Sequence, residues 1–369
     1  MKIWSRSLFV FVLAVATTAA ASDIVIGQST PLTGANADLG KDIRNGALAY
    51  FEMVNAAGGI NGKTIKLVTL DDKNDTKLSG ENTKKLLDDN NVVALFGYAS
   101  STLSIPAMPL LKESRVAFFA PFTGADTIRK QNEFVYTVRA TYGDEIEKII
   151  NFWGNLGSTR VTVLHYDDAV GKQNFETVAK TLQKFNKQPT SISIKRNADL
   201  PDDVVKRIAA SDPQIILVTT LYAPAAQMVQ KLRLANLPYL VTSLSFVGAS
   251  QLAKALGPEA AGISVALTVP TARSTNIPVI KECVGAWTAL GQKETMNVTE
   301  IESCIAAKVL VEGLRKAGKV ITRESLQRSL SALGRVDVGG HVIEFKSGFH
   351  HGGKFVDIAV ILANGELRS

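Results

Sequence analysis

The chain has 369 residues, of which 46% are hydrophobic and 20% charged, and its formal net charge is +7. This length exceeds what one hydrophobic core usually serves, so two domains are expected. Lysines and arginines are scattered among acidic residues, as where Lys84 and Lys85 precede Asp88 and Asp89. A mixed-charge surface of this kind excludes a basic patch that would bind nucleic acid.

The first residues have the pattern of an export signal. Lys2 and Arg6 precede an apolar run over 8–16, and small residues follow at 19–21. The apolar run has nine residues, whereas a membrane-spanning helix needs about 20. We therefore expect a signal peptide over residues 1–21, cleaved before Ser22, and a mature protein free in the periplasm.

The rest of the chain alternates short β-rich apolar runs with amphipathic helical stretches, which is typical of parallel sheets covered by helices. The predicted strands are 24–27, 64–70, 92–96, 117–119, 161–165, 191–194, 215–219, 263–267 and 355–362. The predicted helices are 42–55, 76–89, 143–153, 173–185, 201–210 and 223–235. The alternation stops near Arg139 and restarts near Tyr142, so the sequence predicts two α/β lobes joined by a hinge.

Three local patterns predict turns and caps. The glycines in 58–62 resemble a phosphate-binding loop, but the spacing is one residue short and a strand follows, so a helix-ending turn is predicted. Asp75 is predicted to cap the next helix. Asn364-Gly365 predicts a hairpin turn near the C-terminus.

The two cysteines, Cys283 and Cys304, lie in neighbouring apolar helical patterns. Helices joined by a short link pack side by side, which can bring two sulfurs within bonding distance. We expect a disulfide, which persists in the periplasm. Two buried free thiols are the alternative.

Motifs of catalysis, cofactor binding and metal binding are absent from the sequence. There is no Gly-x-Ser-x-Gly, His-Glu-x-x-His or Cys-x-x-Cys pattern. His350 and His351 are adjacent and are predicted to lie on a loop surface rather than to bind a metal. We therefore expect no enzyme activity, no cofactor and no metal.

Two polar loops follow adjacent predicted strands of the first lobe, at 97–102 and 120–125. Open α/β sheets bind ligands at the carboxyl ends of their strands. Each loop combines hydroxyls, small residues and an aromatic, which suits a ligand carboxylate held by hydroxyl and amide donors. Ordinary helix caps are the alternative for either loop alone.

The segments 26–34, 55–62, 71–75, 121–124 and 167–171 together resemble the branched-chain amino-acid binding proteins, a family with the type I periplasmic binding fold. The resemblance covers nearly the whole mature chain. It implies two Rossmann-like lobes with parallel central sheets, joined by a hinge of three crossovers. It also implies capture of a small molecule for the membrane permease of an ABC importer, and a monomer.

By this resemblance the first lobe comprises 22–139 and 270–345, and the second comprises 140–269 and 346–369. The ligand-binding residues it implies are Tyr98, Ser100, Ser101, Phe122, Thr123 and Gly124 in the first lobe, and Tyr142, Asp168, Val170, Tyr222 and Phe246 in the second.

The sequence departs from the family where the ligand's ammonium group is bound. Amino-acid binders typically place an acid in the second lobe, where this chain has the uncharged run 243–246. Val170 replaces a family aromatic, although Asp168 could supply a charge. An α-amino acid, an apolar or aromatic carboxylate and an amide therefore remain open as ligands. A sensor that delivers its ligand to a membrane receptor and a periplasmic enzyme are the alternative functions.

Overall fold

The computed structural model describes residues 23–34, 36–89, 91–129, 132–346 and 348–369. The predicted signal peptide lies outside these ranges. Within them, no helix combines the length and the apolar character needed to cross a membrane.

The first part of the chain alternates strands with helices. Its strands are β1 (Ile24–Thr30), β2 (Ile65–Asp71), β3 (Ala94–Phe96), β4 (Ala117–Phe119) and β5 (Val135–Tyr136). Its helices are α1 (Ala37–Ala56), α2 (Thr76–Asp88), α3 (Ser101–Ser104), α4 (Met108–Ser114) and α5 (Asp126–Arg129). The strands form a parallel sheet in the order β2-β1-β3-β4-β5.

The second part repeats this alternation. Its helices are α6 (Tyr142–Asn155), α7 (Ala169–Leu182), α8 (Val204–Ala210), α9 (Tyr222–Leu234) and α10 (Ala249–Leu256). Its strands are β6 (Val161–Tyr166), β7 (Thr190–Ile194), β8 (Ile215–Thr219), β9 (Leu240–Ser243) and β10 (Ser264–Leu267). These strands pair in parallel.

The last part packs helices beside the first sheet, forms a separate two-stranded sheet and adds two strands to the second sheet. Its helices are α11 (Pro278–Ala289), α12 (Val298–Lys316) and α13 (Arg323–Ser331), and its strands are β11 (Arg335–Asp337), β12 (Val342–Glu344), β13 (Asp357–Ile361) and β14 (Leu367–Arg368). Helix α12 packs along α1, beside the first sheet. Strands β13 and β14 extend the second sheet in antiparallel pairing, giving the order β14-β13-β10-β9-β8-β6-β7.

The chain crosses three times between the part that holds the first sheet and the part that holds the second, at 137–141, 268–277 and 345–356, and the last crossing starts from the two-stranded sheet of β11 and β12. We call residues 24–136 with 278–344 the first lobe and residues 142–267 with 357–368 the second lobe. Both sheets are buried between helices, which is why their strands are nearly continuous apolar runs. The predicted fold class, two α/β lobes joined by three crossovers, is confirmed.

Several local predictions are also confirmed. Asp75 caps α2 by accepting a hydrogen bond of 2.8 Å from the Leu78 amide. Gly58 and Gly59 follow α1 with positive φ, the backbone conformation that a helix-ending turn requires. The β13–β14 hairpin turns at Gly365, which also has positive φ.

Cys283 and Cys304 are joined by a disulfide that links α11 to α12. The bond closes a segment of 21 residues in sequence. It lies in the core of the first lobe, where both cysteines are buried among the apolar residues of these helices.

The prediction that His350 and His351 lie on a loop surface is wrong, because both are buried. His350 stacks on the Tyr136 ring, with ring centroids 4.3 Å apart. His351 hydrogen-bonds to the Thr137 hydroxyl and to the backbone oxygen of Arg129. The third crossover runs beside the first, so this pair packs inside the hinge instead of facing solvent.

Candidate functional site

Three hydroxyl groups meet where the two lobes face each other. The loops after β3 and β4 are neighbours because those strands are paired in parallel. This pairing places the Ser101 hydroxyl 2.6 Å from the Thr123 hydroxyl. Thr123 also donates a hydrogen bond of 3.1 Å to the Tyr142 hydroxyl, which belongs to the second lobe. We call Ser101, Thr123 and Tyr142 the hydroxyl cluster.

Helix α6 fixes the position of Tyr142. Thr141 caps the helix reciprocally with Asp144, so Tyr142 is the first helical residue. Its ring packs on Phe246 with centroids 4.8 Å apart. Tyr142 also lies close to Gly124 of the first lobe. A glycine is needed there, since a Cβ at residue 124 would lie 2.6 Å from Tyr142 Cδ1 and 2.7 Å from Tyr142 N.

A cavity of about 10 Å³ lies beside the hydroxyl cluster, between the lobes. It has room for about one water molecule, so the lobes are closed upon each other. A solute therefore needs the lobes to part before it can enter. We call this space the interlobe cavity; it is lined by Ser100, Ser101, Tyr142, Tyr166, Val170, Gly171, Arg196, Thr219 and Phe246.

The structure brings most of the predicted ligand-binding residues to this place. Five of them line the interlobe cavity: Ser100, Ser101, Tyr142, Val170 and Phe246. Thr123 and Gly124 lie behind Tyr142 and contact it directly.

Phe122 lies deeper, with its ring under the Arg139 guanidinium at 4.4 Å. Asp168 lies beside the cavity and caps α7 by accepting a hydrogen bond of 2.8 Å from the Gly171 amide. Neither residue is among those that line the cavity.

Two predicted residues lie elsewhere. The chain turns at Gly97, where φ is +61°, and the Tyr98 ring packs edge-on against Phe118 in the first-lobe core. The Tyr98 hydroxyl bonds to Thr83, so this side chain faces away from the cavity. Tyr222 begins α9 and packs against the second-lobe core, and it does not line the interlobe cavity.

Residues that sequence reasoning missed complete the cavity wall. Tyr166 and Thr219 are the last residues of β6 and β8, so the rule that ligands bind at the carboxyl ends of strands could have found them. Arg196 follows β7 by two residues. Its guanidinium lies 3.8 Å above the Tyr166 ring and 2.8 Å from the Asp168 carboxylate.

A group of buried charges joins the lobes behind the cavity. Arg139, whose side chain is 1% exposed, places Nε 3.2 Å from the Glu302 carboxylate of the first lobe. Its guanidinium also donates to the Ser245 hydroxyl of the second lobe. Ser245 in turn donates to Glu145 from its amide, at 2.7 Å, and from its hydroxyl, at 2.9 Å. We call Arg139, Glu145, Ser245 and Glu302 the hinge charge network.

Burial raises the pKa of Glu145 and of Glu302, and the positive charge of Arg139 opposes that rise. Arg139 is itself desolvated, but the two carboxylates outweigh this and raise the pKa of its guanidinium. Arg139 is thus the one cation of the network and offsets part of the charge of its two buried carboxyl groups.

A family model described as a periplasmic binding protein matches residues 23–366. The chain belongs to this family. Membership implies an exported, periplasmic protein, and the predicted resemblance to branched-chain amino-acid binding proteins is confirmed.

Curated relatives match part of this periplasmic binding protein. An amino acid binding protein from Pseudomonas aeruginosa is 28% identical over 221 residues, which are 59% of each chain. A Leu/Ile/Val-binding protein homolog from Brucella melitensis is 29% identical over 174 residues, which are 47% of each chain. The matched region thus spans about half the length of these relatives.

Solved structures match over nearly the whole chain. A possible leucine/isoleucine/valine-binding protein from Rhodopirellula baltica has a TM-score of 0.91 at 25% identity, covering 96% of this chain and 98% of that one. A substrate-binding periplasmic protein from Ralstonia solanacearum has a TM-score of 0.88 at 32% identity, covering 94% and 99%.

A larger crevice of about 510 Å³ opens next to the interlobe cavity, and Tyr166 lines both. Lys73 and Asn74 of the first lobe face Lys195 and Asn197 of the second lobe there. Asn74 donates a hydrogen bond of 2.7 Å to Asn197, so the lobes also touch at this mouth. In a periplasmic binding protein, such contacts must break when the lobes open.

Proposed function

We propose that this protein captures a small carboxylate-bearing solute in the interlobe cavity and delivers it unaltered to the membrane permease of an ABC importer. The observation that carries the proposal is the hydroxyl cluster. Ser101 and Thr123 of the first lobe and Tyr142 of the second converge beside a cavity at the carboxyl ends of parallel strands.

A carboxylate fits these donors. In the closed structure the Thr123 hydroxyl donates its proton to Tyr142, which is a neutral hydrogen bond between the lobes. Hydrogen bonds to an ionised acceptor are about twice as strong as neutral ones. A carboxylate that accepts from Ser101, Thr123 and Tyr142 would therefore replace weak contacts between the lobes with stronger ones and hold the lobes together.

The wall of the cavity does not favour chemistry on the solute. Among the described residues that line it, none is a histidine, a carboxylic acid, a lysine or a cysteine. Activating a hydroxyl as a nucleophile needs a base within hydrogen-bonding reach. Ser101 and Thr123 have each other and Tyr142 as partners instead, which supports binding without turnover.

The lobes would close as nearly rigid bodies about the three crossovers. We propose the boundaries 22–139 with 270–345 for one moving unit and 140–269 with 346–369 for the other. The hinge charge network lies where these units meet, so it would maintain their alignment as the cleft opens. We also propose that the protein acts as a monomer.

The proposal is tested by the substitutions Ser101→Ala and Thr123→Ala. The solute is first identified by mass spectrometry of what the purified protein releases on denaturation, and titration calorimetry then measures its affinity. Each variant loses one hydrogen bond to a charged group, which weakens binding about 10- to 100-fold.

Thr181→Ala is the matched control, since its hydroxyl only bonds back to Thr177 within α7. The unliganded variants are expected to melt close to the wild type. Normal affinity in both site variants would show that the solute binds elsewhere.

A further inference from the structure

We propose that the captured solute is an apolar or aromatic carboxylate that carries no ammonium group, because the closed site offers no carboxylate free to pair with one. This inference rests on the proposed function and narrows its ligand class. It follows from the charges around the interlobe cavity, each of which has an identified partner.

The lining of the interlobe cavity is cationic. Among the described residues that form it, Arg196 is the charged one and none is acidic. The remaining surface consists of serine and threonine hydroxyls, a glycine, and the side chains of Tyr142, Tyr166, Val170 and Phe246. This surface suits an apolar or aromatic body with one anionic end.

Both carboxylate oxygens of Asp168, the nearest acid along the chain, already have partners. Oδ1 accepts the amide of Gly171 at 2.8 Å, which caps α7. Oδ2 accepts two nitrogens of Arg196, at 2.8 and 3.2 Å. Asp168 thus fixes Arg196 over Tyr166 and neutralises its charge in part, and an ammonium could bind Asp168 only by competing with that pair.

The buried acids behind the site are also committed. Both oxygens of Glu145 accept hydrogen bonds from Ser245. One oxygen of Glu302 forms an ion pair with Arg139, and the other accepts a hydrogen bond of 3.0 Å from the Thr268 hydroxyl. Glu145 therefore holds, through Ser245, the loop whose Phe246 forms part of the cavity wall. Glu145 itself does not line the cavity.

An ammonium group enclosed here would lose its hydration shell and meet Arg196 without a free counter-charge. Desolvating a charge without a partner is costly. A carboxylate gains instead, because serine and tyrosine hydroxyls and Arg196 line the same cavity. The Nη1 of Arg196 has no hydrogen-bond partner within the described residues and is available to donate.

Pairs of ligands that differ at one group test this inference. L-leucine is compared with 4-methyl-2-oxopentanoate and 4-methylpentanoate, and L-phenylalanine with 3-phenylpropanoate, by titration calorimetry on the full mature chain. All of them carry the carboxylate, and within each set the amino acid alone carries the ammonium. We expect the acids without an ammonium to bind at least about 100-fold more tightly than the matching amino acid.

Arg196→Gln removes the cation from the wall. It is expected to reduce the preference for the acid over its amino acid about 10-fold or more, whereas Arg196→Lys retains most of it. Arg160→Gln is the control, because Arg160 is an exposed second-lobe arginine paired with Asp212. The preference is expected to be unchanged in this variant.

The outcomes separate the two proposals. An amino acid that binds as tightly as its partner acid, or more tightly, overturns the inference and leaves capture of a carboxylate standing. The inference is likewise overturned if Arg196→Gln leaves the preference intact. If every carboxylate fails to bind while a neutral amide is released from the purified protein, the proposed carboxylate ligand and this inference both fall.

Discussion

Replacing Arg139 with methionine tests how the two lobes are held at the hinge. The guanidinium is fully buried and faces two carboxylates, Glu302 directly and Glu145 through Ser245. Methionine fills a similar volume, so the cavity left behind is small. Removing one partner of a buried ion pair costs about 3–5 kcal/mol because the other charge stays buried and unpaired. We expect Arg139→Met to lower the free energy of unfolding by about 4 kcal/mol at pH 7.

Urea unfolding of the unliganded protein, followed by circular dichroism, measures this loss. Lys231→Met is the matched control, because Lys231 pairs with Asp202 at 2.9 Å on the surface and such pairs contribute about 0–1 kcal/mol. In Arg139→Met the buried carboxyls have pKa values raised further above those of the unfolded chain. The folded state then binds more protons, so this variant should regain stability as the pH falls from 8 to 5.

Adding Glu302→Gln to Arg139→Met should recover part of the lost stability, since one unpaired charge is removed. A loss below about 1 kcal/mol, similar to that of Lys231→Met, would refute the view that these buried charges depend on Arg139.

Three further predictions concern the disulfide, a buried acid and the lobe contact. Replacing Cys283 and Cys304 together by serine should lower the free energy of unfolding by about 3 kcal/mol, as chain entropy gives for a loop of this length, and an unchanged melting temperature would contradict this. Burial raises the pKa of Glu300 from 4.5 to about 8, so the melting temperature should fall as the pH rises from 5 to 9. Glu300→Gln should make the melting temperature less dependent on pH, and the same pH dependence as in the wild type would contradict this assignment. Gly124→Ala should weaken solute binding about 10-fold or more because its Cβ meets Tyr142, whereas Gly143→Ala, with its nearest neighbour at 3.4 Å, should bind normally; equal calorimetric affinities would argue against this contact.

The sequence predicted the fold class because most of its apolar runs coincide with buried strands, although β9, which lies inside the second sheet, was not among the predicted strands. The predicted strands at 117–119 and 215–219 have the bounds of β4 and β8. Helix α1 begins at Ala37, earlier than predicted, because Gly40 weakens the helical signal in its first turn, and Gly46 also lies within this helix. Those glycines are needed because a Cβ at either would collide with neighbouring backbone.

Short elements were not predictable. Helices α3 and α5 have four residues each, and β5 has two, so periodicity cannot identify them. Their existence depends on neighbouring strands and loops rather than on their own sequence.

The sequence allowed the loops that form the site to be predicted, but not the ion pairs around it. Ser101 and Thr123 follow neighbouring strands, so strand order alone brings them together. Arg196 and Asp168 are 28 residues apart, and Arg139 lies in the first crossover whereas Glu302 lies in α12, far along the chain. Such pairings depend on tertiary packing. For this reason the sequence suggested that Asp168 could pair with a ligand, although its carboxylate already forms an ion pair with Arg196.

A crystal structure of the protein with its solute would test the central claim most directly. It should show the solute enclosed between the lobes, with a carboxylate oxygen within hydrogen-bonding distance of the Ser101 and Thr123 hydroxyls. Density for the solute outside the cleft, or a solute that reaches neither hydroxyl, would contradict the account.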